Sequence, residues 1–439
     1  MQRTFFKYVS LNILGALGLS GYILADTFFV ANRLGTDGLA ALNLAISVFG
    51  LINGLGMLLG IGGATRYSIC RFQGDEARAN RAFTRAVGCG ALLGLALALI
   101  GLLLAGPLAG MLGAEGATLP MCTVYLRTAM LFAPCFILNH ILIAFVRNDG
   151  NPKLAMAAML TGSLANIVLD YVFLYPLNLG IFGAALATGV APVIGLTLSS
   201  LHILTGRNRF RLCPCTPRPA ALADLAGLGS AAFINECSSG VVLVVYNLLM
   251  MHLSGTIGVA AYGIVANLAL MALALFTGIS QGCQPLLSQA YGRGEQQQVH
   301  LLSRLALGTA GFSGCVLAIL ALVAAPGLTA LFNADGGLQL QQMAETGLRL
   351  YFLGFPLAGL NLITAALFGA TERARACFLL SLFRGGIGIV LVVLLFALLF
   401  GQIGVWLAFP ATEGLALLLS LVLYRQNRAL PAQAVASKS

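Results

Sequence analysis

The segment LGTDGLAALNL, residues 34–44, recurs as SGTIGVAAYGI at residues 254–264, 220 positions further along the chain. Small residues occupy the same places in both copies: Gly35, Thr36, Gly38, Ala40 and Ala41 align with Gly255, Thr256, Gly258, Ala260 and Ala261. At the same offset Gly62, Ser68 and Gly74 align with Gly282, Ser288 and Gly294. At an offset of 222, Arg127, Pro134 and Asn139 align with Arg349, Pro356 and Asn361. These matches predict an internal structural repeat.

The composition predicts a polytopic membrane protein. Of the 439 residues 59% are hydrophobic and only 9% are charged, whereas a soluble protein carries about 25% charged residues. The apolar residues lie in blocks long enough to cross a bilayer as helices. Twelve such spans are predicted, at 9–31, 39–66, 86–111, 121–146, 154–175, 181–205, 222–253, 258–290, 301–332, 344–370, 374–400 and 403–424. The first block is too long for a signal peptide and no clear cleavage site follows it, so it counts as a span.

The basic residues predict the orientation. If all twelve segments cross, 20 of the 24 basic residues fall on one side, from Arg3 at the N-terminus to Lys438 in the tail. The opposite loops hold only Arg33, and Arg127, Arg349 and Arg384 fall inside spans. The positive-inside rule then predicts a protein of the cell (inner) membrane with both termini in the cytoplasm. The net charge of +10 is a topology signal and does not indicate nucleic-acid binding.

Span count and repeat together predict the fold class: an all-α membrane protein with two pseudo-symmetric six-helix lobes. Six spans are an even number, so both lobes enter the membrane from the same side, with a substrate path between them. The predicted boundaries are residues 1–210 and 221–439, joined by a cytoplasmic linker at 211–220. Such a protein works within the lipid bilayer, and a monomer suffices mechanically.

The sequence contains no convincing motif for an enzyme or for a metal site. The ten cysteines lie mostly inside apolar segments, and Cys213 and Cys215 lack a second Cys or His pair for a zinc site. The sequence GISQG at 278–282 fits G-x-S-x-G but falls in a predicted helix rather than after a strand. The sequence therefore predicts no enzyme and no cofactor.

Four acidic residues fall inside predicted spans: Asp26, Asp170, Glu236 and Glu413. Each costs about 2.5–3.5 kcal/mol at a helix centre on insertion scales, so each requires a physical reason. Asp26 is 17 residues into the first span and Asp170 is 16 residues into the fifth. Both therefore lie about 25 Å from the inner surface, at one height in the first lobe.

Asn166 stands one turn before Asp170 on the same helix face and can hydrogen-bond to it. Desolvation and mutual repulsion of two such carboxylates favour proton uptake, while carboxylate and amide oxygens together suit Na⁺. We therefore predict that Asp26 and Asp170 form a coupling site for H⁺, or a metal site for Na⁺. The alternative is that Asp26 caps a bend or pairs structurally.

The chain resembles the multidrug and toxic compound extrusion (MATE) family over nearly its whole length. The resemblance is carried by ADTFFVANRLGTDGLAAL (25–42), NIVLDYVF (166–173), GVAAYGIVANL (258–268) and GISQGCQPLLSQAYGRG (278–294). It implies export of organic, mostly cationic, drugs or toxic compounds in antiport with H⁺ or Na⁺, by alternating access.

The resemblance also implies roles for individual residues. Asp26, Asp170 and Asn166 are similar to the family's cation site, which Tyr125 and Thr188 would complete. Glu236 is similar to an acid on span 7 that contacts substrate or cation, and Gln284–Pro285 resembles the family's break in span 8. The candidate substrate-binding residues are Glu236, Asn235, Gln284 and Glu413. Family members often carry a proline near the start of spans 1 and 7; this chain has none there.

Two other functions compete with drug export. A lipid-linked oligosaccharide flippase of the same superfamily usually has extra spans or a cationic cavity for a pyrophosphate, whereas the cavity candidates here are mainly acidic, with Arg384 the exception. A channel would not need a repeat with ionisable groups in one lobe. Concentrative transport would separate a transporter from a channel.

Overall fold

A computed structural model describes residues 2–215, 219–330, 332 and 337–428, with the side chains of Thr36, Asn427 and Arg428 left aside. Residues 216–218 of the predicted linker and Lys438 of the predicted tail lie outside this part. The described residues form helices and no strand. The helices are α1 (Gln2–Phe72), α2 (Glu76–Met111), α3 (Thr118–Leu131), α4 (Ala133–Asn148), α5 (Pro152–Leu174), α6 (Gly180–Leu204), α7 (Pro219–Gly292), α8 (Gln296–Ala330), α9 (Leu338–Phe352), α10 (Phe355–Ala370), α11 (Ala374–Gly385) and α12 (Ile387–Arg428).

Three of these helices are each two helices joined at one glycine. The backbone leaves the helical region at Gly35 in α1 (φ 68°, ψ −157°), at Gly255 in α7 (φ 63°, ψ −153°) and at Gly401 in α12 (φ 58°, ψ −136°). This region of backbone space is essentially reserved for glycine, because a Cβ would clash there. All three glycines fall between predicted spans, so the sequence located these turns correctly.

The described residues contain eight helical stretches that are long and apolar enough to cross a membrane. Two bent pairs, α3 with α4 (46°) and α9 with α10 (45°), bring the number to ten. The stretches Pro219–Gly292 and Ala374–Gln426 are 74 and 53 residues long, and each contains one of the glycine breaks. Divided there, they give the twelve predicted spans. The chain is a multi-pass membrane protein.

The repeat is visible in the backbone. Gly35 and Gly255, aligned by sequence, have nearly the same dihedral angles. Gly74 and Gly294, aligned at the same offset, both have positive φ (89° and 73°). A sequence repeat that reproduces the same unusual backbone angles reflects two halves of one architecture.

The two halves meet closely where the second part of α1 crosses the beginning of α7. A Cβ atom on Gly62 would overlap the carbonyl oxygen of Leu225, and one on Gly229 would overlap that of Leu58. Only glycine permits this approach of two backbones.

The internal repeat places an equivalent contact between the beginning of α1 and the end of α7. A Cβ on Gly282, the counterpart of Gly62, would lie 2.7 Å from Val9 Cα, and one on Gly278 would lie 2.5 Å from Ile13 Cα. Both contacts occur toward the end of the molecule that carries residue 2. The path between the halves is therefore closed at that end, which we call the N-terminal end.

Two expectations about local structure are wrong. Helix α7 continues through Pro285 to Gly292, so the predicted break at Gln284–Pro285 does not occur; the only non-helical residue in α7 is Gly255. Arg147 follows the predicted fourth span (121–146) and is one of the 20 basic residues assigned to the loops of one side, but it does not lie in a loop. It is in the last turn of α4 and only 4% exposed, because α1 and α7 cover it.

Candidate functional site

The first half of the molecule buries a cluster of acidic and polar side chains. Asp26 in α1 is 6% exposed and Asp170 in α5 is fully buried. One carboxylate oxygen of each, Oδ1, is buried without a hydrogen-bond partner in the described structure. Buried polar atoms are nearly always paired, so two orphaned carboxylate oxygens make this pair a candidate site for a proton or a cation.

Asn166 supports Asp170 from one turn earlier in α5. With its amide oriented to satisfy both neighbours, Asn166 donates to Asp170 Oδ2 at 3.0 Å and accepts from the backbone N–H of Thr188 at 3.2 Å. The amide thereby ties α5 to α6 and fixes one oxygen of the carboxylate. Oδ1 of Asp170 is left available.

Tyr125 and Thr188 close the cluster from α3 and α6. Both are 3% exposed, and their side chains lie within interaction distance of each other. The Thr188 hydroxyl also donates to the Ala184 carbonyl at 3.0 Å. The structure thus brings together Asp26, Asp170, Asn166, Tyr125 and Thr188, the five residues proposed as the coupling site.

Tyr22 belongs to the same cluster, and the sequence analysis missed it. It precedes Asp26 by one turn of α1 and lies within electrostatic reach of Asp26, Asp170 and Glu236. The i−4 spacing from Asp26 was the available signal, because residues four apart share a helix face. Tyr22 is therefore influenced both by the acids of the first half and by the acid of the second.

The chemistry of this cluster suits a small cation. Two carboxylates and neutral oxygens bind either a proton or Na⁺. Among the described residues there is no group of three His, Cys, Asp or Glu side chains that could hold a metal ion. A bound Na⁺ would therefore depend on the two carboxylates together with neutral oxygens.

Two cavities flank the second part of α1, between the halves, and share Met57, Ile61, Arg147 and Gln281 in their walls. The first cavity is also lined by Asn235, Glu236 and Gln284, and the second by Tyr22, His140 and Thr188. Each has a volume of about 70 Å³. Pockets for drug-sized ligands measure about 300–1,000 Å³, so the halves must separate to admit such a molecule.

Glu413 is placed differently from the other candidate residues. It is 1% exposed and paired with Arg384, whose Nε lies 2.8 Å from Glu413 Oε1. The Asn361 amide donates to Glu413 Oε2 at 2.8 Å, and Arg384 reaches Asn235 Oδ1 at 3.3 Å. Glu413 and Arg384 form an internal ion pair in the second half, outside the linings of both cavities.

A polar layer closes the N-terminal end and forms part of the cavity walls. Arg147 Nη1 donates to Asn12 Oδ1 at 2.7 Å and to Gln281 Oε1 at 2.6 Å. Gln284 donates to the Thr65 hydroxyl at 2.7 Å and accepts from Asn148 at 3.1 Å. The bonds of Gln281 and Gln284 cross between the halves, whereas Asn12 lies in the same half as Arg147.

An ion-pair cluster lies at the edge of this layer. Arg66 in α1 pairs with both Asp224 in α7 and Glu372 in the turn after α10. This cluster also joins the two halves, through charged groups.

A family model described as MatE matches the chain over residues 13–172 and 231–394, more than half of its length. The chain belongs to the MatE family. It is therefore a transporter of that family and not an enzyme. The two matched segments cover corresponding stretches of the two halves, as the repeat requires.

The relatives of this MatE protein include named exporters. The multidrug export protein MepA of Staphylococcus aureus is 26% identical over 408 residues, which cover 92% of this chain and 89% of MepA. The protein of the same name from Staphylococcus saprophyticus subsp. saprophyticus is 25% identical over 417 residues, which cover 94% of this chain and 91% of that protein.

A solved structure supports the MatE fold. It is described as the outward-facing conformation of a multidrug resistance MATE family transporter of the MOP superfamily. Its TM-score is 0.90 at 22% identity, over 97% of this chain and 95% of that chain. The predicted resemblance and the predicted fold are thus confirmed.

Proposed function

We propose that this MatE transporter exports organic cations of several kinds in exchange for H⁺ or Na⁺, which enter through the Asp26–Asp170 site. The observation that carries this proposal is the pair of buried carboxylates with one unpartnered oxygen each. A permanently charged, unpaired carboxylate in this environment is costly. Binding and release of a small cation would explain why two carboxylates are present there.

Coupling requires that ion and drug do not occupy the transporter independently. Tyr22 lies within electrostatic reach of Asp26, Asp170 and Glu236, and Glu236 lines the first cavity. A cationic drug held by Glu236 and a cation held by the acid pair would repel each other, because the charges of both sites act on the same residue, Tyr22. Binding of one therefore favours release of the other, which is the requirement for antiport.

Alternating access follows from the contacts that close the N-terminal end. We place both termini in the cytoplasm of a cell-membrane protein, so this end is closed toward the cytoplasm and the transporter works as a monomer within the lipid bilayer. Breaking the polar layer around Arg147 and Gln284 would open the cavities to the cytoplasm. The names of the relatives, which describe multidrug export, agree with this direction of transport.

A lipid-linked flippase remains the second candidate, because Arg147 places a cation between the halves. A pyrophosphate headgroup carries several negative charges, however, and Arg147 is the only Arg or Lys in the described linings of the two cavities. Arg384 is already neutralised by Glu413. Drug export is therefore the better supported function.

Ethidium efflux tests the proposal. The purified protein is reconstituted in liposomes, and H⁺ and Na⁺ gradients are imposed separately. We expect uphill ethidium movement under one of the two gradients, which identifies the coupling ion. Absence of ethidium transport under both gradients would contradict the proposal and favour lipid-linked cargo.

A further inference from the structure

We propose that the first half of the molecule binds the phosphate headgroup of an anionic phospholipid at its N-terminal end. The site consists of Arg81 and Arg85 of α2 and of Arg211, which belongs to the segment that follows α6 and leads to the second half (residues 205–215, the connecting segment). This inference concerns the membrane around the transporter and does not depend on the drug or on the coupling ion.

Arg81 and Arg85 lie at the end of the lipid-facing surface of α2. This surface carries exposed leucines, among them Leu92, Leu95 and Leu99. At 3.6 residues per turn, all four of these other residues lie within about 40° of Arg81 around the helix axis. An exposed apolar face of a membrane helix contacts the acyl chains, so the two arginines at its end lie at the level of the headgroups.

The connecting segment is docked beside these arginines. The backbone N–H of Arg211 donates to Asn80 Oδ1 at 2.9 Å, and that of Cys213 donates to the Thr84 hydroxyl at 3.0 Å. Phe210 is fully buried against aromatic rings of α1, α2 and α4. Asn80 and Thr84 each directly precede one of the two arginines of α2, so the docked segment adds Arg211 to the same place.

The three guanidinium groups have no partner. They make no hydrogen bond, ion pair or ring contact within the described structure. The nearby acids Asp75 and Glu76 pair with Arg78 and Arg71 instead. The Nε–H of Arg85 is shielded from solvent and has no acceptor among the described residues. Arginine binds phosphate through two parallel hydrogen bonds, so unpaired arginines at the level of the headgroups match a lipid phosphate.

The internal repeat shows that the fold does not require arginines at these positions. Helix α8 begins 220 residues after α2, which is the offset of the repeat. At this offset Leu301 and Leu305 take the places of Arg81 and Arg85. Apolar residues therefore suffice at the equivalent place of the second half, and folding alone does not explain the arginines of α2. A headgroup that binds only to the first half does explain them.

Lipid binding to the purified full-length protein tests the proposal. The probe is phosphatidylglycerol, and phosphatidylcholine is the lipid without net charge. Native mass spectrometry measures the bound lipid as the lipid concentration is varied. We expect the wild type to prefer phosphatidylglycerol and Arg81→Gln/Arg85→Gln to bind it about tenfold more weakly or less tightly still, since each arginine at a membrane surface contributes about fivefold to the attraction of anionic lipid.

The matched control is Arg304→Gln/Arg375→Gln. It removes two exposed arginines from the second half, at the same end of the molecule. It should leave the tightest binding of phosphatidylglycerol unchanged. Equal weakening in both double variants would reduce the effect to net charge and overturn the site. A wild type without preference for phosphatidylglycerol would refute the proposal whatever the variants do.

A variant without any change of charge tests the part of the connecting segment. Asn80→Ala/Thr84→Val removes the two side-chain acceptors that hold this segment on α2. We expect it to weaken phosphatidylglycerol binding several-fold, as Arg211→Gln should, because Arg211 is no longer held at the site. Unchanged binding in both variants would refute a site that includes this segment. Displacement of the lipid by an excess of inorganic phosphate would assign the arginines to a soluble anion and overturn the lipid assignment.

Discussion

At the residue scale, Asp170 shows how the proposed coupling site would receive a cation. Asn166 holds Oδ2 of the carboxylate at 3.0 Å, and Oδ1 remains without a partner in the described structure. The same amide accepts a hydrogen bond from the backbone of α6, so its position depends on two helices. The carboxylate therefore has one oxygen fixed, and the proposed ion would bind to the other.

Substitution Asn166→Ala should weaken binding of the coupling ion more than it slows turnover. It removes a hydrogen bond to a charged group, worth about 1.5–3 kcal/mol, and lets the carboxylate rotate. We expect the ion concentration for half-maximal efflux to rise about tenfold, with a smaller change in maximal rate. The measurement is ethidium efflux at varied concentration of the coupling ion.

Asn32→Ala is the matched control. Asn32 is an exposed residue close to Gly35, where the first part of α1 ends, and in the described structure its side chain bonds only to the Phe28 carbonyl. It should behave as the wild type. An unchanged ion dependence in Asn166→Ala would show that the amide does not support the site.

The sequence predicted some residues of the site and missed others for a physical reason. Asp26 and Asp170 were recognisable because a carboxylate in an apolar helix is costly, and Asn166 because it is one turn away. Tyr22 and Arg147 depend on packing between remote helices. The burial of Arg147 is created by α1 and α7, which no local pattern around residue 147 reveals.

At the scale of the elements, single glycines divide long helices into spans. Gly35 and Gly255 occupy the same unusual backbone region at repeat-related positions. Their surroundings leave open space at the Cβ position, so the requirement for glycine is conformational and not steric. The span boundaries were predictable from the sequence because the apolar blocks end on either side of these glycines.

Gly255→Ala should destabilise the protein by about 1–3 kcal/mol, because alanine cannot adopt the angles at this turn without strain. Thermal unfolding in detergent should show a clearly lower Tm. Gly263→Ala is the control in the same helix: Gly263 has helical angles, and no atom lies within 4 Å of the position that its new methyl group would occupy. It should be neutral or slightly stabilising. Equal Tm values for the two variants would refute the argument.

The predicted break in the eighth span shows where local rules fail. Proline removes one backbone hydrogen bond, and this favours a bend. In α7 the segment around Pro285 is enclosed: Gln284, Leu286 and Leu287 are buried. Packing on all sides keeps the helix intact, and such tertiary support is not visible in the sequence.

At the scale of the whole molecule, Arg66 links the two halves through Asp224 and Glu372. Glu372 has a φ of 60°, and its repeat-related position in the first half is Gly150, with a φ of 97°. Glutamate is strained where glycine is not. The second half therefore has a strained backbone at Glu372, the residue that pairs with Arg66. This is consistent with a role of the ion pair in holding the N-terminal end closed.

Arg66→Gln should therefore open the N-terminal end more often. Ser280 lines the first cavity, so Ser280→Cys, in a chain freed of its ten native cysteines, reports access of water-soluble thiol reagents. We expect several-fold faster labelling in the Arg66→Gln background.

The control for this experiment is Arg71→Gln. Arg71 lies on the same helix, but its hydrogen bonds go to Tyr67 and the Arg209 carbonyl, both in the first half. It should leave labelling of the cysteine at position 280 unchanged. The same acceleration in both variants would mean that the general loss of charge, and not the link between the halves, controls opening.

If an ion gradient drives drug export through Asp26, export must depend on the charge of this side chain, and Asp26→Asn in liposomes measures that dependence. The variant keeps the size of the side chain and removes its charge. We predict that uphill ethidium transport under the effective gradient is lost, while exchange of ethidium across the membrane without a gradient persists. Uphill transport at the wild-type rate by Asp26→Asn would contradict the account.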